Sequence, residues 1–291
     1  MNFELQKINT RDGLILDGLF FNPKKGSGKA ALFIHGFPGN FYLNSEIINN
    51  LADEFGKYNL GLLSLNTRGH DIINITFKKS GKAAVLGAAF ERFEDCPFDI
   101  EAGIKFLNSK EFKEIILIGT SGGADKVGFY LSEKPDKSVK GVIFLSPGSN
   151  ISIIQKELKR KYKPLLEKSF YMVKRGKGDK LALEPELEFP VSWQRFISLY
   201  SEQSNENIFP FHNKKSEFKL LSKIKVPVLI VAGGKDEYFH DYKIEELIEI
   251  LKRKMKKVQK FNAEIIKTAS HRFTSKEKEL AKIIRNWIRN I

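Results

Sequence analysis

The stretch that most constrains the fold of this chain is residues 114–126, with the sequence EIILIGTSGGADK. Four consecutive apolar residues lead into Gly-Thr-Ser-Gly-Gly, and a helix-compatible segment follows at once. A chain that turns from a buried strand directly into a helix has no room for side chains beside the apex, which explains the flanking glycines. The pattern predicts a strained backbone at Ser121, whose hydroxyl stands at the top of a sheet, and an outward-pointing Gly122 N–H.

Apolar runs of strand length alternate with segments of helix length along the rest of the chain. The predicted strands are residues 3–9, 14–21, 30–34, 60–65, 115–118, 142–145, 228–231 and 263–267. The predicted helices are residues 44–55, 97–107, a segment beginning at 122, 242–255 and 275–288. This alternation predicts an α/β fold around a mostly parallel, doubly wound sheet of about eight strands. Residues 71–90 are predicted to form a loop.

The alternation breaks after residue 147 and resumes at 226, a gap too long for a bare loop. Its pattern is mostly helical, so residues 148–225 are predicted to form a cap that is inserted after the sixth strand. Residues 1–147 and 226–291 would then form the core domain. The predicted cap carries 16 Lys and Arg against 9 Asp and Glu. We interpret these charges as a solvated helical face in preference to an entrance for anions.

The length, the hydrophobic fraction and the charge of the chain limit the classes of protein to which it can belong. The chain has 291 residues, of which 42% are hydrophobic, enough for one large domain with an insertion. Its net charge of +14 is spread along the chain without a nucleic-acid-binding motif. No apolar run approaches the about 18 residues of a membrane span. We therefore expect a cytoplasmic protein with a small-molecule partner and neither a nucleic-acid nor a membrane partner, and leave a homodimer open.

A serine hydroxyl needs a neighbouring base, and that base needs a carboxylate to hold its tautomer. In the kind of sheet that carries a Gly-x-Ser-x-Gly elbow, the partners come from loops after later strands, in the order serine, acid, histidine. Asp236 follows the strand after the cap, and His271 follows the last strand. Glu237 and Asp241 are alternative acids. The alternative bases are His35, His70, His212 and His240.

The loop after the third predicted strand reads His-Gly-Phe-Pro-Gly at residues 35–39. An oxyanion needs at least two donors, and this loop can add the Phe37 N–H to that of Gly122. Pro38 has no N–H and stiffens the turn. The single cysteine, Cys96, is interpreted as a small apolar filler, and neither a metal site nor a cofactor is expected.

Several side chains could contact a substrate near this edge of the sheet. The candidates for substrate binding are His35, Arg68, His70, Trp193, Arg195 and Phe196. Aromatic residues that could line the pocket, or simply pack, include Phe37, Phe41, Phe209 and Phe211. For Arg68 and His70 the alternative is that they hold the loop after residue 70, and for His35 that it orders the loop it begins.

Four motifs together resemble the α/β-hydrolase superfamily: HGFPGN, GTSGGA, GGKDEYF and ASHRF. The resemblance covers nearly the whole chain, and implies the α/β-hydrolase fold with a Ser121–His271–Asp236 triad and donors at Phe37 and Gly122. More loosely, NTRGHD, ERFEDCPFDIEAGIKFL and the stretch from 190 to 211 are similar to a branch that includes fungal siderophore esterases. Many members of that branch have His where this chain has Thr120.

The expected activity is that of a serine hydrolase, a carboxylesterase that cleaves esters through an acyl-enzyme. Serine at the elbow argues against dehalogenase and epoxide-hydrolase chemistry, which use aspartate there. The same triad would serve a thioesterase or a peptidase-like amidase, and these alternatives stay open. The least favoured alternative is a ligand-binding protein without catalysis.

Overall fold

The computed structural model describes residues 2–23, 26–133, 135–213, 215–239 and 243–291. His240 and Asp241, the alternative base and acid, lie outside the described residues, as does Tyr242, the predicted start of a helix. No helix in the described ranges has the length and apolar character needed to cross a membrane.

Eight strands form one central sheet in the order β1-β2-β4-β3-β7-β8-β11-β12. They are β1 Phe3–Asn9, β2 Ile15–Phe21, β3 Lys29–Ile34, β4 Gly61–Leu65, β7 Glu114–Thr120, β8 Val139–Leu145, β11 Val228–Gly233 and β12 Phe261–Ile266. The six strands from β4 to β12 are parallel, whereas β1 and β2 form an antiparallel hairpin at one edge. The predicted mostly parallel sheet of about eight strands is confirmed.

Helices cover both faces of this sheet. They are α1 Ser45–Gly56, α2 Cys96–Ser109, α3 Gly122–Ser132, α7 Ile244–Lys254 and α8 Glu277–Arg289. The apolar sides of α2, α3 and α7 pack on one face, and those of α1 and α8 pack on the other. Because strands such as β3 and β4 are buried on both faces, their sequences are continuous apolar runs without alternation. The parallel strands all end at one edge, where the candidate site lies.

The prediction of a loop at 71–90 is wrong in part. Two short strands, β5 Asn74–Phe77 and β6 Ala83–Leu86, pair antiparallel there. A bridge between Leu14 and Lys78 attaches this hairpin beside β2. Each of these strands has only four residues, and the side chain of Ile75 is exposed. The segment therefore lacks the pattern of a strand with one buried apolar face.

The segment between β8 and β11 contains α4 Asn150–Leu158, α5 Tyr162–Lys174, β9 Leu181–Ala182, β10 Val191–Ser192 and α6 Trp193–Tyr200. These elements share a small apolar cluster of their own. Residues 208–224 lie within the predicted cap of 148–225, yet their buried side chains join the main core. For example, the Phe209 ring packs edge-on against Phe144 of β8 at 5.3 Å. Helical periodicity indicates a buried face but not which core covers it, so both parts fall within the predicted cap.

Candidate active site

Ser121 lies at the apex between β7 and α3 with φ 51° and ψ −125°. A positive φ is uncommon for any residue except glycine, so this backbone is strained. The flanking glycines are required by close backbone approach. A Cβ on Gly119 would lie 2.4 Å from the Gly123 carbonyl oxygen, and one on Gly123 would lie 2.3 Å from the Ile34 carbonyl oxygen. The elbow therefore has the strained geometry that the motif predicts.

The structure joins His271 to Asp236. The His271 Nδ1–H donates to Asp236 Oδ2 at 2.8 Å, and the Asp236 side chain is fully buried. Its other oxygen, Oδ1, accepts from the Tyr238 N–H at 3.0 Å. The alternative acid Glu237 accepts instead from the His271 backbone N–H at 3.0 Å. Asp236 therefore holds the imidazole, while Glu237 helps to hold the loop.

The loops after β11 and β12 are joined by backbone hydrogen bonds, which position Asp236 and His271. The Gly234 N–H donates to the Ile266 carbonyl, and the Lys235 N–H donates to the Ala269 carbonyl, both at 2.9 Å. A Cβ on Gly233 would lie 2.5 Å from the carbonyl oxygens of Ala269 and Ser270, so only glycine lets the loops approach so closely. The His271 ring also packs edge-on against Tyr238, with ring centroids 4.7 Å apart.

The His271 Nε2 has no hydrogen-bond partner in the described part of the chain, and both His271 and Ser121 line the same cavity. In structures without substrate, catalytic hydrogen bonds are often long and tighten only when substrate binds. Among the described histidines, His271 alone lines this cavity. His212 is instead 3.1 Å from the Ser149 hydroxyl through its Nδ1.

The loop that begins at His35 packs directly on the elbow. An ideal Cβ on Gly36 would lie 2.9 Å from Ser121 Cβ, and one on Gly122 would lie 3.3 Å from the Phe37 nitrogen. Gly122 is the first residue of α3, where N–H groups have no intrahelical acceptor. The N–H groups of Phe37 and Gly122 are thus close to each other and to Ser121, as two oxyanion donors would have to be.

Substituting Gly36 by alanine should remove most of the hydrolytic activity proposed below. The added Cβ would lie 2.9 Å from Ser121 Cβ and from the Thr120 carbonyl oxygen, which displaces the loop and with it the Phe37 donor. Loss of one donor lowers kcat by about 100- to 1000-fold. Gly148→Ala is the matched control, because a Cβ there meets nothing within 4 Å. Equal kcat for the two variants in an ester assay would contradict this placement.

His35 does not line the cavity, so its prediction as a substrate contact is wrong. The side chain is buried, its Nδ1–H donates to the Gly36 carbonyl at 2.9 Å, and its Nε2 accepts from the Thr67 N–H at 3.1 Å. Burial, reinforced by the positive charge of Lys126, lowers the pKa of His35 from 6.5 to about 3. His35 is therefore neutral, and its hydrogen bonds hold the loop of residues 35–39 in place, which is its alternative role in the sequence analysis.

His35 also predicts a pH dependence of stability. Below pH 6.5 the unfolded chain takes up a proton at His35, but the native protein does so only near pH 3. Its contribution is therefore present above pH 6.5 and is lost as pH falls toward 3. The variant His35→Gln keeps one donor and one acceptor but lacks the imidazole that titrates. Between pH 7 and pH 5, its free energy of unfolding should therefore fall by about 2 kcal/mol less than that of wild type. Urea unfolding at both pH values measures this, and identical losses would contradict it.

The other five predicted substrate contacts are also absent from the cavity wall in the described residues. Arg68 is buried and its guanidinium pairs with Asp99 and Asp12, at 2.8 Å and 3.0 Å. The His70 Nδ1–H donates to the Thr67 carbonyl at 2.8 Å. These two residues hold the loop after β4, which is their alternative role. Trp193 and Phe196 pack in the apolar cluster that α4, α5 and α6 share.

Arg195 is the largest departure from prediction, because its side chain is 1% exposed. It donates to Glu91 at 2.9 Å, to both carboxylate oxygens of Glu206, and to the Ala88 carbonyl at 3.1 Å. Glu91 also pairs with Lys126 of α3 at 2.7 Å. The guanidinium of Arg195 thus joins α6 to Glu91 and, through Lys126, to α3. The central carbon of the Arg195 guanidinium also lies 5.9 Å from the centre of the Phe37 ring. These ion pairs therefore lie beside the donor loop, residues 35–39.

Ser121 and His271 open into a cavity of about 390 Å³. Phe37 lines it, but Phe41, Phe209 and Phe211 pack in the two core clusters. Residues that the sequence analysis missed contribute much of its wall: Leu43, Asn44, Glu46, Ile47, Asn150, Ile153, Ile154, Glu157, Leu187, Glu188, Phe189, Tyr200, Tyr238, Arg272, Thr274 and Glu277. Of these, Tyr238 and Arg272 had a signal in the sequence, because they lie in the motifs that carry Asp236 and His271.

Comparisons with known proteins agree with this fold. A family model described as "Protein of unknown function (DUF1749)" matches residues 86–289. The siderophore hydrolase EstB from Aspergillus fumigatus is 17% identical with a TM-score of 0.68, covering 99% of this chain and 96% of its own. Est1E from Butyrivibrio proteoclasticus is 17% identical with a TM-score of 0.65, covering 98% of both chains. The Pyrococcus furiosus esterase Pf2001 is 18% identical with a TM-score of 0.62, covering 99% of this chain and 91% of its own. No curated protein sequence matches the chain.

Proposed function

Because the chain belongs to the DUF1749 family of proteins of unknown function, we propose its activity from the site itself: it is a serine hydrolase that cleaves carboxylic esters. The observation that carries this proposal is the pairing of a strained serine and a carboxylate-bound histidine on the wall of one cavity. At identities near 17%, the structural neighbours share the fold; their names, esterases and a siderophore hydrolase, favour an ester over other acyl compounds.

In the proposed reaction, Ser121 Oγ attacks the ester carbonyl while His271 Nε2 takes its proton. Asp236 keeps the Nδ1–H tautomer and stabilises the imidazolium that forms. The N–H groups of Phe37 and Gly122 would receive the oxyanion. His271 then gives its proton to the leaving alcohol, and the acyl group remains on Ser121. A water deprotonated by the same imidazole releases the acid by the reverse sequence.

Thioesters and amides pass through the same oxyanion, so the leaving group has to be tested directly. A fluorophosphonate probe, followed by peptide mapping, should label Ser121 in the folded protein and not in protein unfolded beforehand. The same sample should be assayed on p-nitrophenyl acetate to butyrate, on an acyl thioester and on an aminoacyl anilide. Faster turnover of the esters would support the proposal. Labelling elsewhere, or binding of an ester without turnover, would overturn it.

A further inference from the structure

Lys126 is a buried lysine in α3, the helix that begins directly after Ser121. Its side chain is 5% exposed, and its ammonium group donates to Glu91 at 2.7 Å and to the Thr67 hydroxyl at 3.2 Å. Burying an ammonium group is costly unless its hydrogen bonds are made inside the protein. Glu91 offsets the charge of Lys126. The second hydrogen bond goes to a neutral group and joins α3 to the loop after β4.

The Thr67 hydroxyl lies between Lys126 and His35. Its oxygen accepts from the ammonium group, and this oxygen is 3.0 Å from His35 Nε2. That nitrogen also accepts from the Thr67 backbone N–H at 3.1 Å, so it carries no proton. Because the hydroxyl oxygen accepts from Lys126, the hydroxyl proton can be donated to Nε2. Thr67 is fully buried, so water does not compete for these contacts.

A neutral imidazole with an unprotonated Nε2 has its proton on Nδ1. The His35 Nδ1–H donates to the Gly36 carbonyl at 2.9 Å. This carbonyl belongs to the same peptide group as the Phe37 N–H, the proposed oxyanion donor. When the oxygen of a peptide group accepts a hydrogen bond, the group is polarised and its N–H becomes a stronger donor. All of these hydrogen bonds are donated in one direction, which begins at the Lys126 ammonium group and ends at the Phe37 N–H.

We propose that Lys126 and Thr67 are positioning residues for the oxyanion: through His35 they fix and polarise the peptide group that carries the Phe37 N–H. The inference rests on the serine hydrolase proposed above. Hydrogen bonds in a chain strengthen one another by about 10–30% per bond, and a charged first donor makes the first bond roughly twice as strong.

This chain of hydrogen bonds acts on the reaction and not on substrate binding. No proton is transferred along it, and the side chains of Lys126, Thr67 and His35 are absent from the cavity wall that the structure describes. Its effect therefore appears when negative charge develops on the substrate oxygen. An interaction that is stronger in the transition state than in the bound substrate raises kcat and changes KM little.

Thr67→Val and Thr67→Ser separate this role from packing. Valine keeps the shape of threonine but lacks the hydroxyl, whereas serine keeps the hydroxyl and lacks the methyl group. We expect Thr67→Val to lower kcat for p-nitrophenyl butyrate about tenfold with little change in KM, and Thr67→Ser to keep most of the kcat. Thr10→Val is the matched control, because Thr10 is also buried and its hydroxyl is hydrogen-bonded to the backbone of Leu14, between β1 and β2. Its kcat should equal that of wild type.

Lys126→Met tests the charged end of the chain of hydrogen bonds, and leaves Glu91 paired with Arg195. It should also lower kcat about tenfold, and the double variant with Thr67→Val should lose no more than either single variant, because both changes break the same chain. Every rate is expressed per active site titrated with the fluorophosphonate probe, which corrects for misfolded protein. A trifluoromethyl ketone, which forms an oxyanion on Ser121, should lose affinity in Thr67→Val by the same factor as kcat.

The outcomes distinguish the two proposals. Active sites that titrate normally, with equal kcat in Thr67→Val and Thr10→Val, overturn the positioning role and leave the hydrolase. So does a Thr67→Ser enzyme as slow as Thr67→Val, or a loss of about 100-fold in the double variant, which would mean two independent effects. Failure of labelling and of all ester turnover in wild type overturns the proposed function itself.

Discussion

Ser121→Ala is expected to lower kcat for p-nitrophenyl esters by about 10,000-fold or more and to abolish fluorophosphonate labelling. The hydroxyl is the only group in the proposed reaction that forms a covalent bond to the acyl carbon. A small residual rate over water should remain, because the donors at Phe37 and Gly122 are backbone groups that the substitution keeps. Alanine at a strained φ costs little more than serine, so the fold should be retained, as circular dichroism can check.

Ser80→Ala, at an exposed position, is the control and should match wild type in both assays.

A second pair of variants tests the role of Asp236 as the acid. Asp236→Asn should lower kcat about 10,000-fold, because an amide that donates to Nδ1 imposes the wrong tautomer on His271. Glu237→Gln should lose far less, since Glu237 contacts only backbone at His271. Equal losses in these two variants, or a fully active Ser121→Ala enzyme, would refute the triad.

Arg195→Met is expected to lower the free energy of unfolding by about 3–5 kcal/mol. Its guanidinium lies between the buried carboxylates of Glu91 and Glu206, and methionine keeps much of the volume while removing every donor. Glu91 would still have Lys126 as a partner, but Glu206 would lose its two charged hydrogen bonds. A buried carboxylate left without a cation is costly because desolvation is no longer offset.

Lys7→Met is the control for this second prediction. Lys7 pairs with Asp17 between β1 and β2, but its side chain is 72% exposed, and exposed ion pairs contribute little. Urea or thermal unfolding should therefore show a large shift for Arg195→Met and a small one for Lys7→Met. Similar midpoints for the two variants would mean that the buried ion pairs of Arg195 do not stabilise the folded protein.

The catalytic candidates could be found from sequence because their chemistry is local. Gly-Thr-Ser-Gly-Gly encodes a turn that only glycines permit, and Asp236 and His271 each follow an apolar run directly. The parallel sheet then brings the three loops to one edge. The expected hydrogen bond between Asp236 and His271 and the close approach of the donor loop to the elbow are both present.

The substrate candidates were wrong because residue type and loop position do not show what a side chain meets. Arg195 is a candidate in the sequence because it lies in the predicted cap, yet its partners, Glu91 and Glu206, come from two other segments of the chain. The side chains of His35 and Arg68 likewise form internal hydrogen bonds and do not reach the cavity. For a related reason the sequence does not show that residues such as Phe209, within the predicted cap, pack against β8 and not with α4 to α6.

The α/β class of the fold and the loops that carry Ser121, Asp236 and His271 could be predicted from the residues alone, and the hydrolase type of the fold from the resemblance of four motifs. Strand length, helix periodicity and glycine turns are properties of short segments, and their alternation along the chain indicates a mostly parallel sheet. Only the tertiary structure decided which charged side chains are paired internally and which face the cavity. That depends on distances between segments far apart in the chain. Glu188 lines the cavity while Arg195 is buried in ion pairs, although only seven positions separate them.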